Sequence, residues 1–362
     1  MADICGNNIK LSIFGASHGE AIGATIFNLP AGIKVNEESI SKALSLRRPQ
    51  GLISTARVEK DAFRIVSGVF EGYTSGDALT IIIENTNTIS KDYSELKIKP
   101  RPSHADYVAN VKYEGFNDYR GGGHFSGRLS AALVAVCAIL RDILKGKGII
   151  IGSHIKQIGN ILDDDLSLNN EELESLNNKY FATVSSKKEE EMMAYIEKAR
   201  DDQDSVGGII ETAILNMPIG VGEPYFDSIE STLARLLFSI GGVKGVEFGA
   251  GFNFVNLKGS EANDEFYIDN DSVKTKSNNN GGINGGISNG MPIIIKTAIK
   301  PTPSISKKQS TIDMEKKENT NLVIKGRHDP CIVHRVRIVI DSLIAFGLLD
   351  LCIEQFGKAW CK

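Results

Sequence analysis

Three short stretches of the chain each contain a histidine or an aspartate close to glycine, serine or arginine. They are GASHGE with His18, RPSHADY with His104, and GRHDPC with His328 and Asp329. Imidazole titrates near neutral pH and is the side chain that most often donates or accepts a proton in an enzyme reaction. Two imidazoles and a carboxylate at turns therefore predict proton transfer, although a lone histidine is more often structural.

An arginine and glycine turn in the first half of the chain indicates what kind of ligand the site holds. Residues 120–123 read Arg-Gly-Gly-Gly, and glycine permits positive φ and the close approach of a ligand or a second backbone. Residues 126–144 are predicted to form a helix, whose N-terminus favours a bound anion. Arg120 and Arg128 add charged donors that suit phosphate or carboxylate. The turn predicts a phosphorylated ligand, and a merely flexible turn is the alternative.

The composition argues against several classes of protein. The 362 residues are 41% apolar, enough for the core of one large domain. With 41 basic and 45 acidic side chains, the formal net charge of −4 argues against nucleic-acid binding. The five cysteines form no CxxC pair, which predicts neither zinc nor disulfides and favours a cytoplasmic location. No apolar run is long enough to span a membrane, and no signal peptide is recognised, so we expect no membrane association.

Common cofactor and nucleophile motifs are absent from the sequence. It contains no HxH or HExxH for a metal, no GxxxxGK[ST] P-loop, no GxGxxG fingerprint and no GxSxG elbow. We therefore expect no metal, and neither a nucleotide nor a serine nucleophile is indicated. The residues by themselves predict an enzyme that acts on a small phosphorylated acid through histidine and aspartate.

Hydrophobic patterning predicts one large α/β domain that is rich in strands. The predicted strands cover residues 9–15, 21–32, 62–70, 78–84, 148–161, 204–220, 241–252 and 291–305. The predicted helices cover residues 36–48 with Asn36 as the N-cap, 126–144, 228–240 and the apolar C-terminal run. We expect residues 161–203 to be a polar helical segment, and His154 to be structural. Residues 306–320 are predicted to be a charged loop. Residues 261–290 are predicted to be an Asn/Gly-rich flexible loop. Its part 272–290 is predicted to order over a ligand, and a disordered linker is the alternative.

From GASHG at residues 15–19 to KGRHDPC at residues 325–331, the chain carries motifs in the order and spacing of one enzyme family. Between them lie RRP, RPSHADY, DYRGGG followed by SGR, DSVGG, SIGGVKGVEFG, GGINGGIS and IKPTPSI. With these motifs the chain resembles the chorismate synthases over nearly its whole length. The resemblance favours the monofunctional, FMN-dependent bacterial type.

The resemblance implies a lyase that converts 5-enolpyruvylshikimate 3-phosphate to chorismate. This anti-1,4-elimination of phosphate is the last step of the shikimate pathway and feeds aromatic amino acid biosynthesis. Reduced FMN is implied as the cofactor, with no net redox change. In the usual account the flavin lends the substrate an electron, phosphate leaves, and the electron returns. NADPH is implied only indirectly, as the reductant of the flavin. An external flavin reductase is expected because the chain has no spare length for a reductase domain.

The resemblance also implies the architecture. The expected fold class is α+β, with residues 1–362 in a single large domain and helices packed between β-sheet layers. The expected assembly is a homotetramer built as a dimer of dimers. Neither the layer order nor the tetramer is predicted by hydrophobic patterning.

The motifs carry the family's functional residues onto this sequence. His18 matches the general acid near the leaving phosphate, His104 the histidine beside the reduced flavin, and Asp329 the aspartate that helps to remove the ring hydrogen. The implied substrate-binding residues are Ser17, Arg47, Arg48, Arg101, Arg128 and Arg327. The implied flavin-binding residues are Ser126, Gly241, Gly242, Gly285, Lys300, Pro301, Thr302, Pro303, Ser304 and Arg327.

At five positions the sequence departs from the commonest family pattern. Ala16 replaces a frequent glutamate, Ser103 a glycine, and Ile53 an arginine, while His124 and Phe125 replace an Arg-Ser pair. The last two departures motivate an alternative hypothesis, a flavin-binding protein without catalysis. A sugar-phosphate kinase is a third hypothesis, which the absence of a nucleotide motif disfavours.

Overall fold

Two five-stranded sheets with helices between them organise the described part of the chain. This computed structural model describes residues 4–51, 53–54, 60–86, 95–324 and 328–362. The strands are β1 (Ile4–Cys5), β2 (Lys10–Gly15), β3 (Ala21–Phe27), β4 (Phe63–Ser67), β5 (Val69–Phe70), β6 (Tyr73–Thr74), β7 (Leu79–Glu84), β8 (Ile150–Ile158), β9 (Ile161–Leu162), β10 (Gly208–Leu215), β11 (Val243–Phe248), β12 (Phe266–Asp269), β13 (Ser272–Thr275), β14 (Ile283–Asn284), β15 (Ile287–Ser288), β16 (Ile293–Ile299), β17 (Gln309–Asp313) and β18 (Glu318–Leu322). The helices are α1 (Glu37–Arg47), α2 (Asp106–Lys112), α3 (Ser130–Gly146), α4 (Asn170–Leu176), α5 (Ser186–Asp201), α6 (Ile229–Phe238), α7 (Gly259–Ala262) and α8 (Val333–Phe356).

Both large sheets are antiparallel. The first has the strand order β1-β2-β3-β7-β4, and the second has the order β11-β16-β10-β8-β9. Apolar residues alternate along β7, where Leu79, Ile81 and Ile83 are buried. The same alternation buries Ile293 and Ile295 on β16. Since side chains of a strand alternate between its two faces, each sheet presents one apolar face to the interior.

Helices α3 and α8 lie between the two sheets and form the centre of the core. Helix α3 packs against β3 and β7 of the first sheet, and α8 packs against β8 and β10 of the second. The two helices also pack against each other, and α8 is apolar and buried around most of its circumference. The expectation of helices between sheet layers, in an α+β fold, is therefore confirmed. In the described residues, no helix has the length and apolar composition needed to cross a bilayer.

Most predicted elements occur near their predicted positions. Helix α1 begins after Asn36, whose Oδ1 accepts hydrogen bonds from the backbone N–H groups of Glu38 and Ser39 at 3.0 and 3.4 Å. The polar segment 161–203 contains α4 and α5. The predicted strands and helices are therefore found where apolar periodicity or a capping residue marks the chain.

One prediction is corrected, and one helix was not predicted, where that periodicity is missing. Residues 306–320 are not a loop, because β17 and β18 pair as a hairpin through backbone hydrogen bonds that polar side chains do not reveal. Helix α2, at residues 106–112, was not expected. The segment 261–290 contains the hairpins β12–β13 and β14–β15, and its predicted flexibility stays a prediction.

A buried ion cluster joins strands β8 and β10 of the second sheet to the segment that follows β9. Nδ1 of His154 lies 2.8 Å from Asp163 Oδ2, and Nε2 lies 3.1 Å from Glu211 Oε1. Burial by itself lowers the pKa of His154, but hydrogen bonds to the two carboxylates outweigh it and raise the pKa above 6.5. Asp163 also accepts hydrogen bonds from the backbone of Val184 and Ser185. The expected structural role of His154 is therefore supported by contacts on both ring nitrogens.

We predict that His154→Leu lowers the free energy of unfolding by about 3–5 kcal/mol, because two buried carboxylates lose their partner. The raised pKa of His154 means that its stabilisation is present below pH 6.5 and fades as pH rises through the folded value. The carboxylates have lowered pKa values, so their share is fully present above their ordinary values of 3.8 and 4.5 and is lost as pH falls below them through the folded values. Urea denaturation should show the largest loss between about pH 5 and 6.5.

The matched control is His154→Leu combined with Glu211→Gln. Because this change removes one of the two stranded charges, it should restore part of the lost stability. Equal losses in the single and double variants would show that the ion cluster does not stabilise the fold.

Candidate active site

The triple-glycine turn joins the His18 loop to the His104 loop. Gly121, Gly122 and Gly123 have φ values of 57°, 85° and 54°, in the left-handed region that favours glycine. A methyl group on Gly121 would overlap the ring of His18, and one on Gly122 would lie 3.3 Å from Cε1 of His104. The predicted positive φ values are therefore confirmed, and adjacent glycines face the two imidazoles.

Ser17 fixes the orientation of the neighbouring imidazole. Its Oγ lies 3.1 Å from Nδ1 of His18 and 3.2 Å from the carbonyl oxygens of Arg120 and Gly121. Because the hydroxyl donates its one proton to a carbonyl, Nδ1 of His18 must donate to Oγ. Both side chains are buried. With Nδ1 engaged by Ser17, Nε2 is the ring nitrogen of His18 at which a proton can be gained or lost.

Asp106 fixes the orientation of the His104 imidazole. Its Oδ1 lies 2.6 Å from Nδ1 of His104, and its two oxygens accept hydrogen bonds of 2.7 and 2.8 Å from Arg101. Burial by itself raises the pKa of Asp106, but the hydrogen bonds from Arg101 and His104 outweigh it and hold the pKa well below its usual value. The carboxylate is thus ionised and accepts a hydrogen bond from Nδ1–H of His104. Nε2 faces Gly122 and is left for proton exchange.

Arg101, predicted to bind the substrate, is already engaged with protein groups. Besides Asp106, it donates from Nη1 to Ser304 Oγ at 3.1 Å. Its Nη2 lies 3.1 Å from Nδ1 of His104, but both nitrogens carry protons, so this contact is not a hydrogen bond. Arg101 therefore connects the His104 loop to residues 300–304, which are predicted to bind flavin.

The stretch 300–304 lies against the His104 loop. Lys300 Nζ donates to the carbonyl oxygen of Ser103 at 2.6 Å, and the backbone N–H of Lys300 donates to Gly242 at 2.9 Å. Thr302, between Pro301 and Pro303, has a buried Oγ1 without a hydrogen-bond partner among the described residues. Because a buried hydroxyl without a partner costs free energy, this atom fits a bound polar ligand.

Some residues that are predicted to bind flavin lie away from residues 300–304 in the same chain. The N–H of Ile229, at the start of α6, donates to Gly286, so Gly285 lies at the N-terminal end of that helix. Gly241 follows the C-terminal end of α6, roughly 15 Å away at 1.5 Å per residue. Ser126 caps the turn at the start of the α3 segment, where its Oγ accepts from Arg128 N at 3.3 Å. Arg327 lies outside the described residues.

Three of the predicted substrate-binding arginines surround one buried aspartate. Arg128 Nη1 is in direct contact with Asp61 Oδ1, while Arg47 Nη1 and Arg48 Nε lie 3.6 and 3.7 Å from Asp61 Oδ2. Burial raises the pKa of Asp61, but the three guanidinium groups outweigh it and lower the pKa. We call Arg47, Arg48 and Arg128 the arginine cluster. Asp61 was missed by sequence reasoning, because no motif marks an aspartate just before a strand.

Asn85 is a second residue that sequence reasoning missed. Its Nδ2 donates to the carbonyl oxygens of Ala16 and Gly19 at 3.0 Å, and its Oδ1 accepts from Arg128 Nε at 3.2 Å. These contacts connect the His18 loop to the arginine cluster. The only sequence signal was an amide immediately after the predicted strand 78–84.

Arg335 attaches the third stretch to the arginine cluster. Its Nη1 donates to Asp329 Oδ2 at 2.7 Å, and its Nε donates to the carbonyl oxygen of Arg47 at 2.9 Å. His328 instead donates to the carbonyl oxygen of Ile324 at 3.3 Å, and burial lowers its pKa. All three stretches thus belong to one continuous network of contacts. The position of Arg335, in the first turn of α8, gave no sequence signal.

The five residues that depart from the family pattern differ in their surroundings. Ser103 has a φ of 60°, the left-handed region that explains a glycine in relatives. His124 lies 3.2 Å from the carbonyl oxygen of Gly15, and Ala16 takes part through its own carbonyl group. Ile53 is buried, while Phe125 is 44% exposed.

The fold and these contacts define an α+β enzyme that applies proton transfer to an anionic substrate. The family model described as chorismate synthase matches residues 9–353. A chorismate synthase of Korarchaeum cryptofilum is 44% identical over 361 residues, which cover 99% of both chains. A chorismate synthase of Pyrococcus abyssi is 44% identical over 98% of both chains. A crystal structure of a chorismate synthase superimposes with a TM-score of 0.76 and 28% identity, and covers 98% of this chain and 94% of that one.

The chain belongs to the chorismate synthase family. Its members are lyases that catalyse the final step of the shikimate pathway, toward the aromatic amino acids, and the family uses reduced FMN.

We predict that Gly121→Ala lowers chorismate formation at least about 100-fold, because displacement of a positioned group by about 1 Å has that effect. The added methyl group would overlap His18, and it would occupy a left-handed φ. Steady-state chorismate formation measures the loss. The control is Gly127→Ala, since a methyl group there has no heavy atom within 4 Å and its φ is not left-handed. Similar losses in both variants would contradict the proposed contact with His18.

Proposed function

We propose that this chain converts 5-enolpyruvylshikimate 3-phosphate to chorismate by anti-1,4-elimination of phosphate. The observation that carries the proposal is the glycine turn, in which Gly121 lies against His18 and the adjacent Gly122 lies against His104. The arginine cluster is connected to the His18 loop through Asn85. A substrate with one phosphate and two carboxylates needs several guanidinium groups, and this network supplies them.

His18 is the general acid for the leaving phosphate. Its Nδ1 donates to Ser17, so a proton on Nε2 of the charged ring can pass to a phosphate oxygen. Arg47, Arg48 and Arg128 bind the phosphate, and their charges stabilise the dianion as it leaves.

Asp329 and His104 manage the remaining protons. Arg335 holds the carboxylate of Asp329 toward the site, where it accepts the hydrogen removed from the ring as a proton. His104, fixed by Asp106, holds a proton at Nε2 beside the flavin. Arg101 orients Asp106 and thereby His104, and the two N–H groups that Asp106 and Ser304 do not use can contact the substrate.

The residues present fit reduced FMN. The unpartnered hydroxyl of Thr302 and the glycine backbone at Gly242 lie on either side of Lys300, which contacts the His104 loop. When bound, the flavin supplies an electron that the substrate returns. Thr302, Ser304 and Lys300 would hold its polar edge, and the glycines would admit its flat ring. Gly285 would join this site only from another subunit, and Arg327 remains a proposed ligand.

We also propose a homotetramer built as a dimer of dimers. Exposed apolar side chains support it: α2 and the residues after it leave Tyr107, Val108, Val111 and Phe116 at least half exposed, and single exposed residues are more usual than such groups. An external reductase that draws on NADPH would supply the reduced flavin. A monofunctional enzyme of bacterial type in the cytoplasm stays a prediction.

The activity is tested by anaerobic assay with photoreduced FMN, in which chorismate formation would exclude the non-catalytic hypothesis. We predict that His104→Ala and Asp329→Ala each lower turnover by about 10²–10⁴-fold, the usual contribution of a positioned acid or base. Circular dichroism should show that both variants fold. The control is Asp201→Ala, an exposed surface carboxylate. A variant that turns over normally would remove that residue from the mechanism.

We predict that Thr302→Val weakens the binding of reduced FMN by up to about tenfold, because one hydrogen bond to the ligand is lost. Anaerobic fluorescence titration measures the dissociation constant without turnover. Thr297→Val is the matched control, since Thr297 is also a buried threonine whose Oγ1 has no partner among the described residues, but it lies within β16. An unchanged affinity in Thr302→Val would remove this hydroxyl from the flavin site.

A further inference from the structure

Asp61 occupies a position that is typical of a bound anion. Its carboxylate is fully buried and lies between the guanidinium groups of Arg47, Arg48 and Arg128. Carboxylate and phosphate oxygens accept hydrogen bonds from guanidinium in the same way. The side chain of Asp61 therefore has the contacts that a substrate anion would be expected to make with the arginine cluster.

The burial of the cluster limits how an external anion can reach it. The side chains of Arg47 and Arg128 are only 3% and 5% exposed, and Arg48 is 32% exposed. Since Asp61 lies between all three, its carboxylate occupies the position from which a single anion would contact these arginines together. A phosphate at that position would compete with Asp61.

The backbone around Asp61 permits such a movement. Asp61 lies before β4 and belongs to no strand or helix, and its φ of 47° is in the left-handed region. An aspartate tolerates this conformation at a modest cost that an extended backbone would relieve. Its Oδ2 has no hydrogen bond among the described residues, so one main contact, with Arg128, holds the carboxylate.

We propose that Asp61 is a specificity-determining residue that holds the anion position of the arginine cluster until the phosphate of the substrate displaces it. The proposal rests on the proposed function. A tethered carboxylate, with one negative charge, outcompetes small monoanions at this position. A phosphate monoester dianion attracts the three guanidinium groups more strongly and can replace it. Asp61 thereby keeps the cluster neutralised in part and favours a doubly charged ligand.

The proposal is tested with inorganic phosphate as the probe and the full chain as the protein. Isothermal titration calorimetry should show that Asp61→Asn binds phosphate at least about tenfold more tightly than the unmodified chain, because the competing negative charge is gone. Asp61→Glu keeps the charge and should keep the weaker affinity. Asp163→Asn, a buried carboxylate outside the arginine cluster, is the matched control and should leave phosphate binding unchanged. Equal or weaker phosphate binding by Asp61→Asn would overturn the proposal.

Steady-state kinetics separates this proposal from the proposed function. In Asp61→Asn, KM for the phosphorylated substrate and the inhibition constant of phosphate should both fall at least about tenfold. A rise in both constants would show that Asp61 orients the arginines instead, and the proposal would be wrong. Failure of the unmodified chain to form chorismate would refute the proposed function, while the calorimetric result would still decide whether Asp61 competes with phosphate.

Thermal unfolding tests the proposal even if Asp61→Asn does not fold in buffer without phosphate. The melting temperatures of Asp61→Asn and the unmodified chain are compared across a phosphate series. The proposal requires a larger rise for the variant, because phosphate then fills the vacated position. The same rise in both proteins, or a variant that does not fold at any phosphate concentration, would assign Asp61 a purely structural role and overturn the proposal.

Discussion

The site depends on the pairing of buried guanidinium groups with carboxylates. An isolated charge inside a protein costs several kcal/mol, so each buried arginine needs a partner that also fixes its direction. Arg101 is paired with Asp106, and Arg128 with Asp61. These pairs do more than neutralise charge, because Asp106 also determines which nitrogen of His104 carries a proton. The electrostatics of burial therefore sets both the anion-binding geometry and the proton chemistry.

The glycine turn places the two histidines where this electrostatic arrangement can be used. Its backbone passes so close to His18 that no Cβ fits at Gly121. Three consecutive left-handed φ values bring the next residue against His104. Because glycine has no side chain, the turn itself adds no group that competes for the ligand. The two imidazoles can thus belong to loops that are 86 residues apart and still share one site.

Two rigid helices fix the positions of the site loops relative to each other. Helices α3 and α8 are buried between the sheets, and both begin at the site: α3 follows Arg128, and the first turn of α8 carries Arg335. A close-packed core of this kind moves little, so side chains at the ends of its helices keep their positions. The catalytic and binding residues lie on the connections, where they can contact a ligand.

The amino-acid sequence by itself determined the local features of this protein. Alternating apolar residues marked β7 and β16, Asn36 marked the start of α1, and the glycines of residues 121–123 marked a turn with positive φ. These features depend on neighbouring residues, so a single sequence contains their signal. The polar strands β17 and β18 were missed, because backbone pairing rather than side-chain pattern forms that hairpin. The family motifs indicated the layer order that local patterning did not contain.

Only the tertiary structure decided which side chains surround the predicted residues. Asp61, Asn85 and Arg335 carry no motif, yet each connects stretches that are far apart in the chain. Arg101 is predicted to bind substrate, and the fold also directs most of its donors to Asp106 and Ser304. The physical reason is that the partner of a buried charge is selected by three-dimensional packing, which the spacing of residues along the chain does not encode.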